Sequence, residues 1–379
     1  MTDFDTVVIK MAAPCNLACT YCYEYFTGDE SWKKKPKHFT EDLAEILGSR
    51  IYEHAKITGI KSFNIVAHGG EPLLLGSRKI DAIFSAIREN MRDVIANFSI
   101  QTNATLINND ICEVLVKHNV FVGVSIDGNR NQNARRIDHV GAPTFDRAIC
   151  GINQIKKTKG AKFGGVLCVV DVENSPEEVI EFLCSLNPPS IDLLQPFISH
   201  DSAGVLRKEM AETFGNWMVR AMNKWLSNRN WASIRIRVLE DALKSIITEK
   251  PTTDWFGPRG LRYLIVETDG SYDLLDQLKA VGSTSIFTRA VGSSIHDCSL
   301  EEAIGKSRRL LTEYKADRLP DDCKDCRWEK ICAGGHLPSR YSTKNSFNNR
   351  SVYCEGIQYL LEAAEARVKN FISDSSNGR

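Results

Sequence analysis

Six short apolar runs, each followed by a segment of helical periodicity, restrict this 379-residue chain to few folds. In chain order the runs are TVVIK (6–10), FNIVAH (63–68), NFSIQT (97–102), VFVGVSID (120–127), FGGVLCVV (163–170) and IDLLQPF (191–197). Their alternation with helices predicts an α/β protein with a parallel sheet built from strand–helix–strand units. A partly closed barrel and an open doubly wound sheet share this pattern, so periodicity leaves both open.

Polar or glycine-rich residues follow each of these runs. In parallel sheets, ligands bind at the carboxyl ends of the strands, on the loops that follow them. The segments at these ends are the loop of Cys15, Cys19 and Cys22, then HGGEP (68–72), QTNAT (101–105), SIDG (125–128), DVEN (171–174) and LLQP (193–196). We therefore expect them to converge on one rim of the sheet.

The first of these loops has a C-x3-C-x2-C spacing at Cys15, Cys19 and Cys22. A structural zinc site or an electron-transfer cluster normally takes four protein ligands. Three thiols in one loop can hold three corners of a four-iron cluster and leave one iron open for substrate or cofactor. The alternative is a zinc half-site or three unrelated packed cysteines. Twelve cysteines in a cytosolic setting favour metal or redox chemistry over disulfides.

The charge balance and the N-terminus exclude several partners. Lys and Arg together number 48, as do Asp and Glu, so no global field recruits nucleic acid or acidic membrane. The N-terminus is unlike a signal peptide, and no stretch approaches the ~20 apolar residues that span a bilayer. We therefore expect a soluble, cytoplasmic protein without a nucleic-acid or membrane partner.

The cysteine loop followed by GGEP resembles the radical S-adenosylmethionine (SAM) superfamily. The resemblance implies a partial (β/α)6 TIM-like barrel and a 4Fe-4S cluster on the three cysteines, whose open iron binds SAM. Electron transfer from the reduced cluster would cleave SAM to a 5′-deoxyadenosyl radical. The GGEP motif, formed by Gly69, Gly70, Glu71 and Pro72, would receive the SAM amino group. Glycines permit close backbone approach, and a carboxylate suits an ammonium group.

The same resemblance implies further SAM contacts. Ser125, in VSIDG, and Arg136, in RRID, would hold the ribose and the carboxylate. The family commonly has one more residue between these two positions, so Arg135 competes with Arg136. The remaining candidate contacts are Tyr21, Asn103 and Asn174. An asparagine that closes a strand has a turn role as its alternative.

A second cysteine set lies in the C-terminal third, at Cys323, Cys326, Cys332 and Cys354. Four cysteines form a complete set for zinc or for an iron–sulfur cluster. The surrounding segment, CAGGHLPSRYSTKNSFNNRSVYC (332–354), resembles the SPASM extension of radical SAM enzymes that modify peptides, which implies an auxiliary 4Fe-4S cluster. A typical SPASM member holds two auxiliary clusters, but Leu275 and His336 occupy two of the cysteine positions here. The resemblance thus implies that the first auxiliary cluster is absent, with domains at 1–235 and 236–379.

This single auxiliary cluster, together with ETDGS (267–271), resembles the cyclophane-forming maturases of ribosomally made peptides, or triceptide synthases. The resemblance implies an oxidative crosslink between an aromatic ring carbon and the β-carbon of a residue two positions later in a precursor peptide. The auxiliary cluster could accept the surplus electron. Three alternatives stay open: a sulfatase-maturase-like oxidase that forms formylglycine, another peptide modification such as a thioether link, and a zinc-binding interaction protein.

Asp276 is the candidate base. In the related sulfatase-maturing enzymes, the residue after the equivalent cysteine is a catalytic aspartate. A carboxylate in a mostly apolar site can be tuned toward proton acceptance, and a surface hairpin aspartate is the alternative. The implied partners are the precursor peptide and an external electron donor of the flavodoxin or ferredoxin type. Because the cysteine loop begins at residue 15, we expect the body or a separate protein to hold the leader, and the VETDG hairpin (266–270) is a possible dock.

Overall fold

The computed structural model describes residues 4–26, 30–203, 207–257, 262–281 and 292–377. The chain divides into two compact units. Unit 1 comprises residues 1–126, 133–166 and 260–310, and unit 2 comprises residues 127–132, 167–259 and 311–379. Each unit draws on residues from both sides of position 235, where the sequence predicts a domain boundary.

The first six strands follow the predicted apolar runs. In chain order they are β1 Thr6–Ala12, β2 Ser62–Gly69, β3 Ile95–Thr102, β4 Phe121–Ser125, β5 Lys162–Val169, β6 Ser190–Leu194, β7 Arg235–Ile236, β8 Tyr263–Val266 and β9 Tyr272–Asp273. Within unit 1 the order is β4-β3-β2-β1-β8-β9, parallel except for the antiparallel β8–β9 pair. Within unit 2, β6 and β7 are parallel. The mixed α/β class with a parallel sheet is therefore confirmed.

The helices alternate with these strands. In chain order they are α1 Tyr23–Phe26, α2 Glu41–Thr58, α3 Gly76–Met91, α4 Asn109–Lys117, α5 Phe145–Lys157, α6 Pro176–Ser185, α7 His200–Ala203, α8 Arg207–Ser227, α9 Arg237–Thr248, α10 Leu300–Glu313, α11 Glu329–Cys332 and α12 Cys354–Asn377. Side-chain oxygens of Thr40, Asn108 and Ser175 accept hydrogen bonds from backbone N–H groups in the first turns of α2, α4 and α6. These capping residues explain why the three helices begin where they do.

Strand β1 lies between β2 and β8 in unit 1. Its Val7, Ile9 and Met11 side chains are fully buried, as expected for a central parallel strand. Lys10 interrupts this apolar run, although it is only 2% exposed, and its Cα pairs with that of His68 in β2. The strand therefore carries a buried ammonium group to the carboxyl end of the sheet.

No helix among the described residues is both long and apolar enough to span a membrane.

Candidate active site and cluster sites

The three N-terminal cysteines lie in the loop between β1 and α1. Cys19 is buried, whereas Cys15 and Cys22 are half-buried. The N–H of Cys22 donates to the carbonyl of Cys19 at 3.0 Å. Burial raises the pKa of Cys15 to about 12, and the neighbouring Cys19 and Cys22 sulfurs add to this rise. The loop therefore gathers its three sulfurs at one place, as a cluster site requires.

The GGEP segment is hydrogen-bonded to the same loop. The N–H of Gly70 donates to the carbonyl of Ala12 at 2.8 Å, and that of Glu71 donates to Pro14 at 3.1 Å. A Cβ atom on Gly70 would lie 2.0 Å from the Tyr25 hydroxyl and 2.3 Å from the Pro14 carbonyl oxygen. The expected close backbone approach of a glycine is thus seen, and its partner is the cysteine loop.

Glu71 is a buried carboxylate, only 1% exposed, at the carboxyl end of β2. It accepts hydrogen bonds from the Thr102 hydroxyl at 2.7 Å, the Asn103 N–H at 2.8 Å and the Leu73 N–H at 3.0 Å. Burial raises its pKa to about 7, although these hydrogen bonds favour the charged form. The Asn103 amide in turn donates to Asn16 at 2.9 Å, so this asparagine links the end of β3 to the cysteine loop.

Both candidate arginines face the ring of Tyr21. The guanidinium carbon of Arg135 lies 5.2 Å from the ring centroid, and that of Arg136 lies 5.5 Å away. Arg136 is 8% exposed, whereas Arg135 is exposed. Ser125 accepts a hydrogen bond from the Gln101 amide at 2.8 Å.

Asn174 belongs to unit 2 and has a turn role there. Its N–H donates to the Asp171 carbonyl at 3.1 Å, and its carbonyl accepts from the Trp217 indole at 2.8 Å. These are the contacts of a strand-closing turn residue, the alternative that the sequence left open.

Asp276 belongs to a buried ionic cluster in unit 1. One carboxylate oxygen lies 2.5 Å from the Lys10 ammonium, and the other lies 3.1 Å from that of Lys279. Lys10 also pairs with Glu24 at 3.0 Å, while Lys279 pairs with Glu24 at 2.9 Å and with Glu267 at 2.8 Å. All five side chains are at least nine-tenths buried. We call Lys10, Glu24, Glu267, Asp276 and Lys279 the buried ionic cluster.

The surroundings of Asp276 correct two expectations. It is 7% exposed, so it is not a surface hairpin residue, and its site is ionic rather than mostly apolar. Burial alone would raise the pKa of Asp276, but the charges of Lys10 and Lys279 outweigh burial and hold its pKa well below the usual range. The Tyr23 hydroxyl donates to the same carboxylate at 2.7 Å. Asp276 is therefore ionised and firmly oriented, although its proton affinity is low.

Sequence reasoning missed the partners of Asp276. The available signals were a lone lysine in an apolar strand, at Lys10, and the Tyr23–Glu24 pair directly after the third cysteine. His68 also borders this region. Burial, followed by the positive charge of Lys10, lowers the pKa of His68 to about 4, so its imidazole is neutral.

The four C-terminal cysteines line one cleft of unit 2. Trp328, Gly334 and Gln358 also line it. Cys332 ends α11 and Cys354 begins α12. Burial raises the pKa of Cys332 to about 12, and the sulfurs of Cys354 and Cys323 contribute to the rise. Among the described residues, no three His, Cys, Asp or Glu side chains surround a position for a single metal ion. A cleft walled by four thiols suits a four-iron cluster, in which each thiolate binds a different iron.

The two positions that lack the SPASM cysteines are packed. Leu275 is half-buried in unit 1. In unit 2, His336 is 5% exposed, stacks on Phe197 with ring centroids 5.3 Å apart, and lies 3.8 Å from a carboxylate oxygen of Asp254. An aromatic stack therefore occupies the second position.

Residues 9–183 match the family model described as the radical SAM superfamily. The cysteine-type anaerobic sulfatase-maturating enzyme of Clostridium perfringens strain 13 is 25% identical over 380 residues, which cover 96% of this chain and 97% of that enzyme. The serine-type enzyme of Klebsiella aerogenes is 28% identical, covering 97% of this chain and 87% of its own length. The solved structure of native anSMEcpe with bound AdoMet and Cp18Cys peptide superposes with a TM-score of 0.81 at 22% identity, covering 97% and 99% of the two chains.

Proposed function

We propose that this chain, whose residues 9–183 match the radical SAM superfamily model, is a radical SAM enzyme that oxidises a side chain of a peptide by two electrons. Its cofactors are SAM and 4Fe-4S clusters. The two relatives described above cover nearly all of the chain and are named as maturating enzymes, which supports a peptide or protein substrate. A zinc-binding interaction protein is not favoured, because the superfamily match lies on the segment that carries Cys15, Cys19 and Cys22.

The residues present fit these cofactors. Cys15, Cys19 and Cys22 would hold the SAM-binding cluster, and Glu71 would receive the SAM amino group. The four cysteines of the unit 2 cleft would hold the auxiliary cluster. When bound, SAM and the clusters supply a radical that abstracts a hydrogen atom and a site that accepts an electron.

The orientation of Asp276 is the observation that carries the proposal. A two-electron oxidation removes one hydrogen atom, one proton and one electron from the substrate, so a proton acceptor is needed. Lys10, Lys279 and Tyr23 keep the Asp276 carboxylate ionised and fixed in position. The carboxylate can therefore accept the proton that leaves the substrate. Because its pKa is low, the proton would pass onward rather than stay.

The comparisons favour formylglycine as the product. Both relatives reported above are named as anaerobic sulfatase-maturating enzymes, one of the cysteine type and one of the serine type. In this reaction, the oxidised carbon is the β-carbon of the target cysteine or serine, and Asp276 would accept the thiol or hydroxyl proton.

Crosslinking to a cyclophane is the second candidate. Leu275 and His336 stand where a two-cluster SPASM protein has cysteines, and His336 instead stacks on Phe197. A single auxiliary cysteine set is the feature that this chain shares with the cyclophane-forming maturases. In this reaction, Asp276 would accept the proton that leaves the ring on rearomatisation.

Mass spectrometry of the peptide product tests the proposal. The reconstituted enzyme would be incubated anaerobically with SAM, a reductant of the flavodoxin or ferredoxin type, and one of two peptides. A sulfatase-derived peptide should gain a hydrazide-reactive aldehyde if formylglycine forms. A precursor peptide with an aromatic residue should lose two hydrogens without gaining an aldehyde if a crosslink forms. Sustained SAM cleavage with neither peptide altered would contradict peptide oxidation.

A further inference from the structure

Arg340 is a fully buried cation in unit 2, with 0% of its surface exposed. Its guanidinium donates to the Phe347 carbonyl at 2.9 and 3.1 Å and to the Arg318 carbonyl at 2.7 Å. Two longer hydrogen bonds, of 3.4 and 3.5 Å, reach the carbonyls of Lys315 and Ala316. Its N–H groups are thus occupied by neutral oxygens.

Among the described residues, no carboxylate oxygen lies within 4.0 Å of an Arg340 guanidinium nitrogen, so Arg340 forms no ion pair there. Asp317 is the acid that acts on it electrostatically, but this carboxylate accepts from the Thr312 hydroxyl at 2.6 Å and is partly exposed. A buried charge without a counter-charge costs several kcal/mol, so buried cations are normally paired. The fold therefore holds a cation whose negative partner the amino acids do not supply.

The cluster cysteines are the candidates for that negative charge, because Cys323 and Cys332 act on Arg340 electrostatically. Burial lowers the pKa of Arg340 to about 10, while Cys323 and Cys332 act in the opposite direction. The Arg340 side chain also passes Gly334, where a Cβ atom would lie 3.6 Å from the arginine Cδ. Gly334 lines the cleft of the four cysteines. Arg340 thus runs along the wall of the proposed cluster site.

We propose that Arg340 is the buried counter-charge of the auxiliary cluster and that it raises the reduction potential of that cluster. This inference rests on the ligand set proposed above. A four-iron cluster with four thiolate ligands carries net negative charge, and its reduction adds more. A cation fixed nearby in a medium of low dielectric stabilises the reduced form more than the oxidised form. Arg340 would therefore make the cluster a better acceptor for the electron that the substrate loses.

Arg327 provides a contrast. Its side chain is 57% exposed and pairs with Glu365 at 2.7 Å. Solvent and the paired carboxylate screen its charge, so its influence on the cluster should be much smaller.

A redox titration monitored by electron paramagnetic resonance tests the inference without any peptide. The full chain, with alanine at positions 15, 19 and 22, would carry the auxiliary cluster alone. We expect Arg340→Gln to shift its potential to more negative values, Arg340→Lys to stay close to the parent, and Arg327→Gln to shift it far less than Arg340→Gln. An unchanged potential in Arg340→Gln with full iron content would overturn the proposal, as would equal shifts in the lysine and glutamine variants.

Iron content gives a second measurement for the case in which Arg340→Gln loses its cluster. Recovery of the cluster in Arg340→Lys then supports a role for the charge, and loss in both variants overturns it. A parent protein that binds zinc instead of iron also overturns it. Failure to modify a peptide would leave these potentials unaffected, so the two proposals fail separately.

Discussion

Replacement of Asp276 by asparagine should separate cofactor chemistry from proton removal. The amide keeps the shape of the carboxylate, and its oxygen can still accept from Tyr23, which now lies 2.7 Å from the carboxylate. The two ammonium groups of Lys10 and Lys279 would still face the carboxylates of Glu24 and Glu267. Lys35, whose ammonium group lies 3.4 Å from Glu267, adds a third positive charge, but it is half-buried and reaches solvent, so we expect the fold to tolerate the change.

The loss of product formation can be estimated from the role of a positioned base. Such a group contributes about 10²–10⁴-fold to the rate, which corresponds to roughly 3–5 kcal/mol in the barrier. We expect product formation by Asp276→Asn to fall by this factor while 5′-deoxyadenosine still forms. The assay is anaerobic turnover with dithionite, in which liquid chromatography and mass spectrometry quantify both compounds.

Asp273 offers a matched control for this substitution. It is 4% exposed in the same hairpin, and burial raises its pKa to about 6. Neither lysine of the buried ionic cluster lies within ion-pair distance of it in the described residues. Asp273→Asn should keep the parental ratio of product to 5′-deoxyadenosine. If Asp276→Asn keeps that ratio as well, Asp276 is not the proton acceptor.

Three further outcomes are expected. Lys10→Met should destabilise the protein by about 3–5 kcal/mol, because it removes one of the two ammonium groups that pair with the buried carboxylates of Glu24 and Asp276; a melting temperature equal to the parent's would contradict this. Alanine at Cys15, Cys19 and Cys22 should lower the iron content from about eight to about four atoms per chain and abolish SAM cleavage. Alanine at the four unit 2 cysteines should also lower it to about four atoms per chain, but SAM cleavage should continue. Burial raises the pKa of Glu71 to about 7, so its charged form becomes scarcer as pH falls below that value. SAM affinity, measured by anaerobic calorimetry, should therefore drop about tenfold per pH unit below about 7. An affinity that does not change with pH would exclude Glu71 as the ligand of the SAM amino group.

Local pattern was sufficient to predict the strands and the cysteine sets. The DG pair at 269–270 predicts a hairpin, and β8 and β9 form it, with Gly270 at a φ of 79°. Hairpins and capped helices depend on residues close together in sequence, so their signals are visible without a structure. The same pattern does not reveal that β8 pairs with β1, since that pairing joins residues more than 250 positions apart.

The buried ionic cluster could not be predicted for the same reason. Lys10 and Asp276 are separated by 266 positions, and neither residue carries a local signal for the other. The sequence therefore identified Asp276 but predicted mostly apolar surroundings, whereas two lysines hold its pKa down. Spacing alone likewise does not show that Arg136 is buried while Arg135 is exposed.

Gly70 shows how the absence of a side chain can set the separation between the GGEP turn and the cysteine loop, the two segments that we propose bind the cofactors. Main-chain hydrogen bonds from Gly70 and Glu71 fasten the GGEP turn to the cysteine loop, and the empty side-chain position lets them touch. One added methyl group would push the two segments apart, and both the cysteine sulfurs and the Glu71 carboxylate would then be displaced. The spacing is thus built into the backbone, and it would survive extensive replacement of neighbouring side chains but not Gly70→Ala.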